Sequence, residues 1–160
     1  MMVLSMSIED CLSVLLIDSN DIDRNYYADR LKQYSSEYVV HLAATGQDGL
    51  ETYQAQRIDC VVLEIDLADM SGFEVLVRLV PVARKPKVPV ILLTRLSNYY
   101  LADLAMKNGA LACLLKTDTP ADMLDKAIHK AISTVTRDRK NAQHDSHFNR
   151  PSSPSAFKLT

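Results

Sequence analysis

Four polar residues each follow directly after an apolar segment, and their side chains are types common in binding and catalytic sites. They are two carboxylates, a hydroxyl and an ammonium: Asp18, Glu64, Thr94 and Lys116. In a parallel α/β sheet the carboxyl ends of the strands meet at one edge, where the loops diverge and ligands bind. Any one of the four alone would be an ordinary turn residue. Their arrival together at one edge favours a functional site.

The segments that must position these residues alternate between apolar runs and amphipathic stretches. Near-continuous apolar runs predict strands buried on both faces, and apolar residues at helical spacing predict helices between them. The predicted strands are 12–17, 37–43, 58–64, 88–93 and 111–115, and the predicted helices are 21–34, 47–56, 72–82, 98–107 and 119–135. Five such alternations predict a parallel sheet covered by helices on both faces.

Composition limits the class of protein. The 160 residues are 48% apolar and 24% charged, which is typical of one globular domain. A net charge of -2 argues against nucleic acid as the main partner. No apolar run reaches the roughly 18 residues that cross a bilayer. The three cysteines are far apart and lie in apolar runs, so we expect reduced thiols in a cytoplasmic protein.

The periodic pattern covers only the central part of the chain. Residues 1–11 are predicted to be an N-terminal extension and residues 12–136 the folded domain. Residues 137–160 are rich in Ser, Asn, Arg and Pro with scattered apolar positions, which predicts a flexible tail.

The four strand ends resemble those of the receiver domain of two-component response regulators, the CheY-like family. The matching segments are Leu15 to Asp18, Val62 to Glu64 with Ser71-Gly72 after it, Leu92 to Thr94, and Leu114 to Lys116. The resemblance implies a flavodoxin-like, doubly wound five-stranded parallel sheet of strand order 2-1-3-4-5. It also implies that a strand-end Asp accepts a phosphoryl group from a histidine kinase with Mg²⁺ bound, and that the Thr and Lys contact the phosphoryl oxygens.

The acidic pocket implied by this resemblance differs from the family pattern at two positions. Glu64 occupies the phosphoacceptor position instead of Asp, and Ser19 replaces the second acid after the first strand, which leaves Asp18 alone. Mg²⁺ requires near-ideal octahedral oxygen geometry, so a lost carboxylate and a lengthened one weaken the site. We therefore expect no resident cofactor or metal and no enzyme activity, with Asp18 and Glu64 as weak metal candidates only.

Further differences affect the residues that the family uses as a switch. Cys113 stands where an aromatic residue that moves inward is usual, and Thr117 replaces the Pro that commonly follows the Lys. Arg95 follows Thr94 where a small residue is usual, which predicts a crowded pocket. Two loop acids after Glu64, Asp66 and Asp69, are predicted to be solvated rather than substitute acceptors.

The leading hypothesis is a degenerate receiver, or pseudo-receiver, that signals by protein–protein contact with phosphotransfer lost or impaired. Glu64 would then either partly imitate a phosphorylated acceptor or be inert. The resemblance implies a signalling partner, either a histidine kinase or an output domain, on the Asn98 to Val135 face, and a possible homodimer. The alternative is a phosphorylatable response regulator that uses Mg²⁺ and a histidine kinase. A flavodoxin-like flavin carrier is disfavoured because no Gly-rich phosphate loop follows the first strand.

Overall fold

The computed structural model describes residues 11–148 as five strand–helix units. All five strands pair in parallel in the order β2-β1-β3-β4-β5, so the predicted fold class and strand order are confirmed. The elements are β1 (Leu12–Ile17), α1 (Asp21–Tyr34), β2 (Tyr38–Ala43), α2 (Gly46–Ala55), β3 (Cys60–Leu63), α3 (Gly72–Leu79), β4 (Val90–Thr94), α4 (Tyr99–Lys107), β5 (Ala112–Leu115) and α5 (Ala121–Phe148). A short 3-10 turn, Lys116–Asp118, joins β5 to α5.

Alternate residues of the central strands build two cores, one on each face of the sheet. Because successive side chains of a strand point to opposite faces, Leu15 packs under α2, α3 and α4 while Leu16 packs under α1 and α5. The same alternation holds in β3 and β4, whose side chains are all buried. The central strands are therefore rigid supports for the residues that follow their carboxyl ends.

Helix capping keeps the loops at this edge short. The side chains of Asn20, Thr45, Ser71 and Asn98 each accept a hydrogen bond from a backbone amide in the first turn of the next helix. Such caps satisfy amides that have no partner inside the helix. Helices α1 and α4 thus begin within five residues of the strand ends that carry Asp18 and Thr94, whereas a longer loop separates Glu64 from α3.

The last helix is longer than the apolar pattern predicts. α5 runs to Phe148, so the prediction of a flexible tail is wrong for residues 137–148, while residues 149–160 and the predicted extension at 1–10 lie outside the described residues. The apolar stripe ends at Val135, which is buried, and the exposed continuation contains good helix formers such as Arg139 and Lys140. The guanidinium of Arg139 also donates a hydrogen bond to the carbonyl of Lys87, which holds this part of α5 against the α3–β4 loop.

Two sequence expectations concern cysteines and membrane segments. Cys60 is fully buried, Cys11 and Cys113 are half-buried, and all three are free thiols. Within residues 11–148, no helix has the length and apolarity needed to cross a membrane.

Candidate functional site

The carboxyl ends of β1 and β3 place two acids side by side. The backbone amide of Asp18 donates to the carbonyl of Ala43, and that of Glu64 donates to the carbonyl of Ile17, so both residues continue the pattern of the sheet. Lys116 follows β5 at the same edge and reaches across to both. Its Nζ lies 2.6 Å from Asp18 Oδ2 and 2.8 Å from Glu64 Oε2.

The ammonium of Lys116 has a third acidic partner, Asp23 in the first turn of α1. Nζ lies 2.9 Å from Asp23 Oδ2, so the three protons of the ammonium face three carboxylates. The side chains of Lys116 and its three partners are only 3 to 8% exposed. Burial alone would lower the pKa of Lys116, but hydrogen bonds to Asp18, Glu64 and Asp23 raise that pKa to about 12.

Asp23 is the functional residue that the sequence analysis missed, and Arg95 is its second partner. The Arg95 guanidinium donates two hydrogen bonds to the Asp23 carboxylate, at 2.9 and 2.6 Å, which is the bidentate geometry of strong ion pairs. The Arg95 hydrogen bonds, together with Lys116 and against the effect of burial, lower the pKa of Asp23 to about 2. Arg95 thus ties the β4–α4 loop to α1 and does more than crowd the pocket.

Both carboxylate oxygens of Glu64 are held by protein donors. Oε2 contacts Lys116, while Oε1 accepts hydrogen bonds from the backbone amides of Ile65 at 2.7 Å and Asp66 at 3.2 Å. The backbone here is packed closely against the start of α3. A Cβ on Gly72 would lie 2.4 Å from the carbonyl oxygen of Glu64, so only glycine fits at that position.

The hydroxyl of Thr94 lies at the same edge but is used within its own loop. Thr94 is fully buried, and its Oγ1 accepts a hydrogen bond from the amide of Leu96 at 3.1 Å. The resemblance implies that Thr94 and Lys116 both contact phosphoryl oxygens, so both are candidate partners of the Glu64 carboxylate. Of the hydrogen bonds described in residues 11–148, none joins Glu64 to Thr94, so of these two candidates only Lys116 contacts Glu64.

Ser19 and Asp69 fasten neighbouring loops to one another. The Ser19 hydroxyl donates to the carbonyl of Ala44 at 2.7 Å and accepts from the amide of Ala68 at 2.9 Å. Asp69 accepts from two amides at the start of α2, and these hydrogen bonds lower its pKa. Asp69 is exposed, as the sequence predicts for a solvated loop acid, and it also caps the amino end of α2.

This donor set does not fit a divalent cation such as Mg²⁺. Mg²⁺ needs several oxygen ligands that converge on one point, whereas the oxygens of Asp18 and Glu64 converge on the Lys116 ammonium. The Ser19 hydroxyl directs its proton to a backbone carbonyl. Among the described residues no group of three or more His, Cys, Asp or Glu side chains is arranged to hold a metal ion.

Cys113 and Thr117 flank Lys116 without contacting its ammonium. Cys113 is half-buried in β5, and burial, with a smaller effect of Glu64, raises the pKa of its thiol. Residues 11–148 contain no cis peptide bond, so the bond before Thr117 is trans. The Tyr27 hydroxyl is placed to donate to the carbonyls of Lys116 and Thr119, at 3.1 and 3.2 Å, and holds the β5–α5 connection against α1.

Comparison with known proteins identifies the family. The model of the response regulator receiver domain matches residues 14–128. The transcriptional regulatory protein AfsQ1 of Streptomyces coelicolor is 35% identical over 98 residues, which cover 61% of this chain and 41% of AfsQ1. The nitrate/nitrite response regulator protein NarL of Escherichia coli is 28% identical over 128 residues, which cover 80% of this chain and 58% of NarL. The chain therefore spans well under two thirds of either relative.

Solved structures agree on the fold. A response regulator receiver domain protein from Clostridium thermocellum has a TM-score of 0.67 at 27% identity, and the match covers 77% of this chain and 95% of that one. A CheY-like receiver domain protein from Methanospirillum hungatei JF-1 has a TM-score of 0.67 at 23% identity, covering 80% of this chain and 98% of that one. With the family match over most of residues 11–148 and this sheet order, the chain belongs to the response regulator receiver domain family.

Proposed function

We propose that this receiver domain signals by protein–protein contact and has lost, or nearly lost, the capacity for phosphotransfer. The observation that carries the proposal is the geometry of Glu64, the residue at the acceptor position. One of its oxygens is bonded to Lys116 and the other to two backbone amides. A carboxylate held in this way is a fixed part of the structure, and the domain is a binding module without enzymatic turnover or a resident cofactor.

The electrostatics of the site support impaired phosphotransfer. Phosphoryl transfer depends mainly on positioning and on cations that neutralise the transferred charge. Here the Lys116 ammonium is shared among three carboxylates, and the Arg95 guanidinium is paired with Asp23. Neither cation is available for an incoming phosphoryl group without leaving a buried carboxylate unpaired, which is costly.

Glu64 imitates only part of a phosphorylated acceptor. Its contact with Lys116 is the charge-assisted hydrogen bond that a phosphoryl oxygen would make. A carboxylate has one charge and two oxygens, against roughly -1.5 to -2 and three oxygens for a phosphoryl group. The hydroxyl of Thr94 bonds instead to its own loop. Glu64 thus contacts Lys116, after β5, as a phosphoryl group would, but it makes no such contact with Thr94 at the end of β4.

The surface that we propose for the partner is built by α4, β5 and α5. Several large apolar side chains are exposed on this surface or at its border, among them Tyr99 at 93%, Tyr100 at 86% and Leu104 at 46%. Clusters of exposed aromatic and aliphatic residues are typical of protein interfaces. A histidine kinase, an output domain or a second copy of the domain would fit such a surface.

Three free thiols also support a reducing, cytoplasmic setting.

The first test is phosphorylation of the whole chain by a small phosphodonor. We expect no phosphoryl adduct by intact mass spectrometry after incubation with acetyl phosphate and Mg²⁺, because no oxygen of Glu64 is free and no cation is available. An adduct of one phosphoryl group that disappears in hydroxylamine would establish the alternative, a phosphorylatable response regulator with Mg²⁺ and a histidine kinase as donor.

A second prediction separates a phosphoryl mimic from an inert residue. Glu64→Gln keeps the shape of the side chain but removes its charge, so Lys116 loses one of three ionic partners. If Glu64 biases the switch, amide hydrogen exchange in α4 and β5 should accelerate by about fivefold or more in this variant. Exchange is the suitable measurement because it reports the local stability of each element separately. Glu74→Gln is the matched control, because Glu74 pairs with Arg78 on the surface of α3. Equal exchange in the two variants would mean that Glu64 is inert.

A further inference from the structure

The basic loop at 84–87 lies at the opposite end of the molecule from the acid cluster, which is formed by Asp18, Asp23 and Glu64 around Lys116. It precedes β4, so it belongs to the edge formed by the amino ends of the strands, and the second half of α5 reaches this same edge. Loop and helix enclose a groove of about 480 Å³ lined by Arg84, Lys85, Pro86, Lys87, Val135, Asp138, Arg139, Ala142 and Gln143. This groove exists because α5 continues past Thr136.

The floor of the groove is apolar. Three apolar residues of the lining, here called the floor, are Pro86, which is half-buried, Val135, which is 4% exposed, and Ala142, which is exposed. The aliphatic stems of the surrounding basic residues extend this apolar surface, since long cationic side chains cover apolar groups with their methylenes. The Arg139 guanidinium also contacts the Lys87 carbonyl and so joins helix and loop. The groove is therefore a formed feature of the fold.

The rim of the groove carries four cations and one acid. Arg84, Lys85, Lys87 and Arg139 are exposed, against a single exposed carboxylate, Asp138. None of the ion pairs described for residues 11–148 involves Arg84, Lys85 or Lys87, in contrast to the paired cations of the acid cluster. A concentrated positive charge on a chain whose net charge is -2 is a local field that attracts anionic partners.

We propose that this groove binds an acidic peptide segment of a partner protein, with an apolar side chain of that segment on the floor and its carboxylates on the rim. The combination of floor and rim favours a peptide over nucleic acid, because a phosphate backbone would use the cations and leave the apolar floor without a partner. The groove is of the size of small ligand sites and suits one or two side chains. Apart from Val135, the lining residues lie outside the Asn98 to Val135 range of the α4–β5–α5 surface, and Glu64 does not line the groove.

The probe for this site is a fluorescein-labelled peptide in which Leu-Phe is flanked on each side by four Glu or Asp residues. We expect saturable binding to the full chain by fluorescence anisotropy, and a fall in affinity as salt rises from 50 to 300 mM. Replacing Leu-Phe by Ser-Ser should weaken binding by about tenfold or more, since the substituted peptide has no large apolar side chain to bury.

A matched pair of variants tests the location. Lys85→Glu with Lys87→Glu should weaken binding by about tenfold or more, because two attractive rim charges become repulsive. Lys126→Glu with Lys130→Glu changes the net charge equally but lies roughly 13–20 Å back along α5 from Arg139, and should change affinity by less than about twofold.

The proposal would be overturned by the absence of saturable binding, by equal losses in the two double variants, or by equal affinity for the Leu-Phe and Ser-Ser peptides. Tighter binding of a single-stranded oligonucleotide of the same charge would also overturn it, and would identify a polyanion site instead. None of these results bears on phosphorylation of Glu64, so the two proposals fail independently.

Discussion

Replacing Lys116 by methionine is expected to lower the free energy of unfolding by about 3–5 kcal/mol at pH 7, measured by urea denaturation. Methionine conserves most of the side-chain volume, so the loss reports on charge. Without the ammonium, three carboxylates that are at most 8% exposed have only the Arg95 guanidinium to compensate them. Removing one partner of a buried ion pair is far more costly than removing the whole pair.

The same substitution at an exposed lysine is the control. Lys107 lies 2.7 Å from Asp103 on the surface of α4, where the two side chains are 71% and 60% exposed. Lys107→Met should change the free energy of unfolding by no more than about 0.5 kcal/mol, because water screens such pairs. A loss at Lys116 as small as that at Lys107 would contradict the description of a buried, mutually dependent network.

The pH dependence gives this prediction a second signature. The pKa of Asp23 falls from an ordinary 3.8 to about 2 in the folded protein, so its contribution is complete above about pH 4 and is lost as pH falls through 2. In Lys116→Met, Asp23 loses one of its two cationic partners, so its pKa rises from about 2 toward the ordinary 3.8. The part of the stability difference between parent and variant that is due to Asp23 should therefore narrow as pH falls from about 4 to 2. A difference independent of pH would point to lost packing instead of charge.

The polar residues that directly follow the strands are the part of the site that residue spacing in the sequence predicts. Apolar runs that stop at Asp18, Glu64 and Lys116 allow few arrangements, because parallel strands must end at a common edge. The sequence allows two hydrogen-bond partners for the Glu64 carboxylate, Lys116 or Thr94, and residue spacing does not choose between them. The choice depends on how the side chains are rotated.

Asp23 and the end of α5 show where the sequence carries too little information. Asp23 reads as an ordinary acid in the first turn of a helix, where negative charge is favoured by the helix dipole. Its contact with Lys116 depends on how α1 is rotated against the sheet. Similarly, the helix beyond Thr136 has no apolar stripe, and its contact with the distant Lys87 carbonyl has no local signature. The sequence gives one indication of the Asp23 contact, because the basic residue Arg95 directly after Thr94 implies an acidic partner nearby.

Ser19→Asp combined with Glu64→Asp is expected to create a metal-dependent acceptor site. Asp at 19 places a second carboxylate beside Asp18, in the position where a hydroxyl now donates to the Ala44 carbonyl. Removing one methylene from Glu64 withdraws its oxygens from Lys116 by about 1.5 Å. We expect saturable Mg²⁺ binding and phosphorylation by acetyl phosphate at least about a hundredfold faster than in the parent, since small displacements change such rates by that factor.

Tyrosine fluorescence is a suitable readout of the metal, because the chain has seven tyrosines and no tryptophan and Tyr27 bonds to the Lys116 carbonyl. The single variants are the controls. Ser19→Asp alone keeps Glu64 bonded to Lys116, and Glu64→Asp alone lacks the second acid, so each should respond far less than the double variant. A folded double variant with no metal-dependent change in fluorescence and no phosphoryl adduct would contradict the assignment of Glu64 to the acceptor position. Without Mg²⁺ the double variant should be less stable than the parent, because Asp at 19 would face the Ala44 carbonyl with no proton to donate.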